Sequence, residues 1–264
     1  MGFPHFGAKH DHEAFITPQA VLAHRRARGV EVVDGVPVAV VMTYQPQLFG
    51  AILVAEPTTP LSVGGPADLV HALDRTGGRV GVVGQFGIGA PVATVVLEEL
   101  IALGTRLVVT LGVAGSLRSD LLVGDIVVAD HGIRDEGVSH HYLVPGEPAV
   151  ADPYLSRRVE AALVAARLRP RRGTTWTIDA IYRETVAEAR HFADQGALCV
   201  EMEAAALFAV AAVRGVSLAA VFCISDSLAE AEWDPHYDSE RLTRRVWAAF
   251  EATVGCLATY GTFE

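Results

Sequence analysis

Short apolar runs alternate with apolar stripes of helical spacing along most of the chain. Val38–Met42, Val80–Val83, Leu107–Leu111 and Ile126–Ala129 are apolar on both faces and rich in β-branched residues, as buried strands are. Thr174–Ile178 and Leu218–Ile224 read the same way. Between them, Val92, Val95, Val96, Leu100 and Leu103 recur at helical spacing, and Gly104 stops that helix. Asp152–Arg167 predicts another helix, with Asp152 as N-cap and Pro153 at its first position. Ala204–Val213 predicts a third, ended by Gly215, and Ser239–Leu257 a fourth, with Leu242, Val246, Phe250 and Val254 on one stripe. The Pro/Gly/Thr-rich stretch 56–68 reads as a surface loop.

Strands alternating with helices predict an α/β domain with a parallel or mixed sheet. Neither repeat nor linker divides the 264 residues. The expectation is an arm and lead-in helix over 1–35 and one domain over 36–264.

Composition narrows the function classes. Apolar residues make up 51% and charged residues 20%, which excludes low-complexity disorder. A formal charge of −10 and the lack of a basic stripe argue against nucleic acid. Lys9 is the only lysine. Cys199, Cys223 and Cys256 are odd in number and far apart, so neither a disulfide framework nor a metal site is expected. Buried reduced thiols fit a reducing cytoplasm. The first residues lack the order of a signal peptide, and no apolar run reaches the ~20 residues of a membrane span.

In open α/β sheets ligands gather beyond the carboxyl ends of strands, so those ends carry the candidate chemistry. Gly87 and Gly89 follow one strand and open a helix at Pro91; Gly112 and Gly115 follow another. Either pair could let a ligand lie on backbone or could form a tight turn. Glu201, Met202 and Glu203 stand at a strand-to-helix boundary. A carboxylate there can accept two hydrogen bonds from a vicinal diol, or merely favour the helix dipole. Asp226 ends an apolar strand as a candidate general acid, or as the cap of a turn. Ile181, Tyr182 and Arg183 offer a stacking face and donors to a planar heterocycle. The run Arg134–Tyr142 is polar without metal-ligand spacing.

In this order the segments GIGAP (87–91), LGVAGSL (111–117), GDIVVA (124–129), RDEG (134–137), VEMEAAALF (200–208) and CISD (223–226) resemble the nucleoside phosphorylase family, which includes purine nucleoside phosphorylase, uridine phosphorylase and related nucleosidases. The likeness runs from about residue 36 to 255 and implies a central mixed sheet, partly closed as a barrel and flanked by helices. It implies cleavage of a nucleoside N-glycosidic bond in salvage or catabolism, a purine being slightly favoured over uridine. The assembly implied is a homodimer or a hexamer built as a trimer of dimers.

By the same resemblance Glu203 is the ribose-diol carboxylate and Met202 packs on the sugar, with Glu201 beside them. Asp226 protonates the leaving base; Ile181 and Tyr182 face it, with Arg183 and Gly115 nearby. His5 looks like the histidine that a neighbouring subunit lends to the sugar 5′ end. No cofactor is implied beyond inorganic phosphate as co-substrate.

The stretch Met42–Leu48 departs from the pattern. It lacks the Gly-Asp of the family's phosphate-holding Gly-Asp-Pro turn, and Leu48 replaces the arginine that follows. Thr110 stands at a second arginine position and Val113 at a hydroxyl position. Gly87, Gly89, Gly112, Thr110 and Arg134 remain as candidates for a phosphate or water site, with Glu201 or Glu136 to orient a water. The expectation is substantial hydrolysis. Two other classes stay open: a nucleoside-binding or sensing protein without turnover, against which Glu203 and Asp226 weigh, and a dinucleotide-binding enzyme, weakened because no ribose-binding acid follows the glycines at 84–89 by ~20 residues.

Overall fold

The computed structural model describes residues 3–230 and 233–260. In chain order its elements are α1 (Pro18–Ala27), β1 (Ala39–Thr43), α2 (Pro46–Ala55), β2 (Thr58–Leu61), β3 (Val70–Leu73), β4 (Val80–Val83), α3 (Ala90–Ala102), β5 (Leu107–Ser116), β6 (Ile126–Asp135), β7 (Ala149–Val150), α4 (Pro153–Ala165), β8 (Arg171–Ile178), α5 (Val186–Asp194), β9 (Ala197–Glu201), α6 (Ala204–Arg214), β10 (Ser217–Ser227), β11 (Asp234–Pro235) and α7 (Glu240–Ala258).

The strands form one mixed sheet. β10 pairs in parallel with β5 and antiparallel with β6, and the path β6–β8–β9 leads back to β5. Strands β5, β10, β6, β8 and β9 therefore close a barrel, while β1, β4, β3 and β2 extend the sheet beyond β5. This is the expected α/β domain with a partly closed sheet. Closure removes free edges from the strands that carry the polar ends.

Helices cover both faces, since these strands are apolar on both. One buried cluster joins α3 and α6 to the sheet through residues such as Leu97, Leu100, Leu207 and Phe208. A second joins α4 and α7 to the other face through Leu155, Val159, Val246 and Phe250. Ala204–Ala211 is buried all round, as a helix with no polar stripe must be. Gly132 of β6 allows this, because a Cβ there would stand 2.7 Å from the Ala205 Cα. The Asp152 carboxylate caps α4 by accepting from the Tyr154 and Leu155 amides. In the arm, α1 meets α3 through the Arg25–Glu99 ion pair at 2.7 Å.

Two local expectations are corrected. The stretch 56–68 is not all loop: Thr58–Leu61 pairs with β3 at the sheet edge, where Pro60 is tolerated. Gly112–Ser116 is not a turn either. It continues β5, because the ladder to β10 runs on through Gly115 and Ser116 and outweighs the local glycine signal. All three cysteines are buried and free. Among the described residues no helix is long and apolar enough to cross a membrane.

Candidate active site

A cavity of about 570 Å³ collects side chains from the carboxyl ends of β1, β5, β8, β9 and β10 and from the β4–α3 turn. Its wall includes Tyr44, Ile88, Gly115, Ile181, Tyr182, Glu184, Glu201, Met202, Glu203, Asp226, Trp233 and Tyr237. Four carboxylates stand among them. Among the described residues neither Arg nor Lys lines the cavity.

Each acid has a different environment. Glu201 ends β9 with both oxygens occupied: Oε1 accepts from the Thr177 hydroxyl at 2.5 Å, and Oε2 from the Glu203 and Ala204 amides at 2.8 and 2.7 Å. Three donors of its own chain, two of them amides at the start of α6, hold Glu201, so its geometry favours a scaffold role over the expected sugar contact. Glu203 is only 5% exposed, and the Gly89 amide donates to its Oε1 at 2.5 Å. A carboxylate has about four acceptor positions, so capacity remains for a ligand. Burial pushes both glutamates above the ordinary carboxylate range, and the charge of Glu201 raises Glu203 further.

Asp226 is reached by a change of register. Ile224 lies opposite Ala114 and Asp226 opposite Gly115, so Ser225 is the extra residue of a bulge. Neighbours on a regular strand point to opposite faces. The bulge lets the Ser225 hydroxyl donate to Asp226 Oδ1 at 2.6 Å, while Trp233 Nε1 donates to Oδ2 at 2.8 Å. Gly115 leaves room here, since a Cβ would stand 3.2 Å from Asp226 Oδ2 and 2.3 Å from the Leu228 Cδ1. Glu184, half-buried, faces Asp226; burial first, then the charges of Asp226 and Glu188, push it up to about 7. The Tyr237 hydroxyl is pushed up to about 12 by burial and Asp226.

A family model described as "Phosphorylase superfamily" matches residues 56–255. The chain belongs to the phosphorylase superfamily. It is 32% identical over 142 residues to a guanosine phosphorylase of Halorubrum lacusprofundi, which is 54% of this chain but 59% of that relative's length. It is 32% identical over 160 residues to a DeoD-type purine nucleoside phosphorylase of Bacillus cereus, covering 59% of this chain and 67% of the relative. Among solved structures, a uridine phosphorylase from Vibrio fischeri superposes with a TM-score of 0.71 at 23% identity, covering 86% of this chain and 94% of the other. A purine nucleoside phosphorylase from Toxoplasma gondii superposes with the same score at 19% identity, covering 86% and 92%.

Within this superfamily member, Glu203, Met202, Asp226, Ile181, Tyr182 and Gly115 share one cavity wall. The expected anion residues do not assemble into a cationic site. Gly89 opens α3 with φ +99°, but its amide is engaged by Glu203. Gly87, at φ +96°, belongs to the same turn. Gly112 lies under the Tyr44 ring. Arg134 is corrected outright. Its five guanidinium N–H groups face Ser139 Oγ, His140 Nδ1 and the carbonyls of Leu143, Val144 and Glu147, so none is left for a ligand in the cavity. Glu136 likewise accepts from the Val138 and Ser139 amides. Arg183 is exposed and does not line the cavity. His5 is exposed in the arm beside Phe3, away from this wall.

Sequence reasoning missed Glu184, Trp233 and Tyr237 and gave Tyr44 no role. An aromatic pair in the polar loop after the Asp226 strand, and a second acid after Arg183, were the available signals.

Proposed function

We propose that this chain cleaves the N-glycosidic bond of a nucleoside and passes the sugar to water. The observation that carries the reading is a cavity with four acids and, among the described residues, no cationic wall. The relatives are named for guanosine and purine nucleosides, which supports a nucleoside as substrate. Glu203 accepts the sugar's vicinal hydroxyls; such charge-assisted bonds contribute ~1.5–3 kcal/mol each. As the bond to the base breaks, positive charge develops on the sugar ring, and buried carboxylates oppose that charge in a low-dielectric site. Asp226, oriented by Ser225 and Trp233, faces the leaving base and supplies its proton. Ile181 and Tyr182 offer the base an apolar and a stacking surface. An acid at this position suits a purine ring nitrogen better than a pyrimidine carbonyl.

Phosphate carries between one and two negative charges near neutral pH and normally needs Arg, Lys or free amides. In this cavity it would meet carboxylates, whereas water needs only polar contacts. The experiment is a nucleoside panel, purine and pyrimidine, incubated with and without millimolar phosphate. Free base and free sugar should appear at similar rates in both buffers, with guanosine or inosine ahead of uridine. Pentose 1-phosphate as the main product, with no reaction in phosphate-free buffer, overturns the water reading. Tight nucleoside binding without base release would instead make the protein a nucleoside sensor.

A further inference from the structure

The chain carries a formal charge of −10, yet five of its 21 Lys and Arg residues line one cavity of about 450 Å³. They are Arg167, Arg169, Arg171, Arg241 and Arg245, and Asp125 is the single acid in that wall. The cavity shares no lining residue with the acid-lined one. Arg171 is the first residue of β8, and Ile178, the last, stands just before Ile181 of the acid-lined cavity. A strand of that length sets its ends roughly 23 Å apart.

Guanidinium groups crowded at one cavity repel one another unless anions offset them. The chain supplies little offset. Asp125 is taken: Oδ1 accepts from Arg241 at 3.1 Å and Oδ2 from the Leu122 amide at 2.9 Å. Asp120, outside the wall, pairs with Arg171 at 3.0 Å. Arg245 donates to the carbonyls of Gly124 and Leu168, at 2.8 and 2.5 Å, and so ties the loop before β6 to the loop before β8 with two of its five N–H groups. Arg167 and Arg169 find no hydrogen-bond or ion-pair partner for their side chains among the described residues.

Their backbone adds a second, separate sign. Arg167 has φ +60° and Arg169 φ +50°, two of the three described non-glycine residues in the left-handed region. Arg167 follows the end of α4: its amide donates to the Val164 carbonyl and the Leu168 amide to the Leu163 carbonyl, at 2.9 and 3.0 Å. That closing motif usually places glycine where Arg167 stands. Leu168 is buried in the same cluster as Leu163, which leaves the arginines on either side of it exposed. Residues held in such sparsely populated conformations cluster at ligand clamps.

We propose that this cavity binds an oligophosphate, free or as the phosphate chain of a nucleotide, at a site separate from the acid-lined cavity. Each guanidinium fork matches two phosphate oxygens, and several forks around one cavity match an anion of several charges. The wall holds no aromatic residue, so it offers a base no stacking face and reads the phosphate chain.

Calorimetric titration of the intact protein at low ionic strength tests this. Tripolyphosphate should bind the wild type at one per chain, about tenfold or more tightly than inorganic phosphate, and should weaken about tenfold as salt rises from about 50 to about 200 mM. ATP tighter than tripolyphosphate by more than about tenfold makes a nucleotide the ligand, ATP weaker by that margin makes it the free chain, and similar affinities mean that only the chain is read. The double variant Arg167→Gly/Arg169→Gly should bind tripolyphosphate about tenfold more weakly, yet its ligand-free melting temperature should equal or exceed that of the wild type, because glycine relaxes both backbones. Arg167→Gln/Arg169→Gln, which removes the charge and keeps a long polar side chain, should lose affinity alike. Tripolyphosphate should raise the melting temperature of the wild type and leave both double variants nearly unmoved. Absence of tripolyphosphate binding, wild-type affinity in either double variant, tighter binding of citrate, or displacement by millimolar inosine overturns the proposal. None of these readings needs turnover, so they stand apart from the nucleoside-cleavage experiment.

Discussion

Two charged regions meet helix α6, one at its N-terminus and one along its side. In the loop after β6, charge closes on itself. Arg134 satisfies the hydroxyl of Ser139 and three carbonyls, and Glu136 takes the amides of Val138 and Ser139. At the N-terminus, in the cavity, Glu201 is closed in this way by backbone amides and a threonine, whereas Asp226 is held by side chains alone, one on each oxygen. Glu203 and Glu184 are held above their ordinary range by burial and by like charges, and the hydroxyl of Tyr44 is unmatched, as is that of Thr110, which does not line the cavity. Residue type alone does not separate these regions, for both are rich in acids. What separates them is whether the chain completes its own hydrogen bonds. A completed network is scaffold, and an incomplete one is where a ligand contributes.

The contrast can be broken most sharply at Asp226. Asp226→Asn should cost ~10²–10⁴-fold in kcat/KM for a nucleoside whose base must be protonated to leave, and far less for an activated base. Equal fractional losses on both would remove the acid role. Glu203→Ala should cost about 100-fold in kcat/KM on the best ribonucleoside, through the lost diol acceptor. A 2′,3′-dideoxy substrate should show little of that loss, and a variant with near-wild-type activity would end the sugar assignment.

On the scaffold side, Arg134→Ala should lower unfolding free energy by about 2 kcal/mol while kcat/KM stays within about twofold. Arg134→Lys should not restore the stability, because one ammonium cannot span the fan of acceptors that the guanidinium reaches. Loss of activity without loss of stability would place Arg134 back in the reaction.

The smallest effect concerns pH. Glu184 titrates near 4.5 in the unfolded chain and at about 7 when folded, so folding favours its neutral form. That contribution is complete below the unfolded value and is lost as pH rises through about 7. Discounted for its half-exposed position, it amounts to about 1 kcal/mol between pH 5 and pH 8. Melting temperatures of the wild type and Glu184→Gln should lie close together at pH 5, and the wild type should fall below the variant as pH rises to 8. Parallel curves would show that Glu184 is not under this pressure.

Much of the layout was legible in the sequence because local pattern and tertiary context agree there. Val80–Val83 is a strand at its expected bounds, and Asp152 caps the helix that Pro153 opens. Glu203 and Asp226 stand at the strand ends where the resemblance placed them, in one cavity. The failures have physical causes. Glycines at 112 and 115 suggested a turn, but one serves the Tyr44 ring and the other makes room for Asp226, both within an unbroken strand. Arg134 looked free because its partners, Leu143 to Glu147, lie in a loop whose return path the local pattern does not encode. Tyr44, Glu184, Trp233 and Tyr237 come together from three distant stretches, so their company is visible only after folding.

The bulge in β10 has a consequence for how the site can be probed. Ser225 contributes a hydroxyl to Asp226, but it also contributes one unit of length, and the second contribution belongs to no side chain. Replacing it by alanine deletes the first and leaves the second intact. Scanning mutagenesis, which alters the lettering of a chain and never its count, is blind to this part of the design. The same holds in evolution: point changes can tune the acid's neighbours freely, whereas the angle at which the acid enters the cavity is guarded against insertions and deletions.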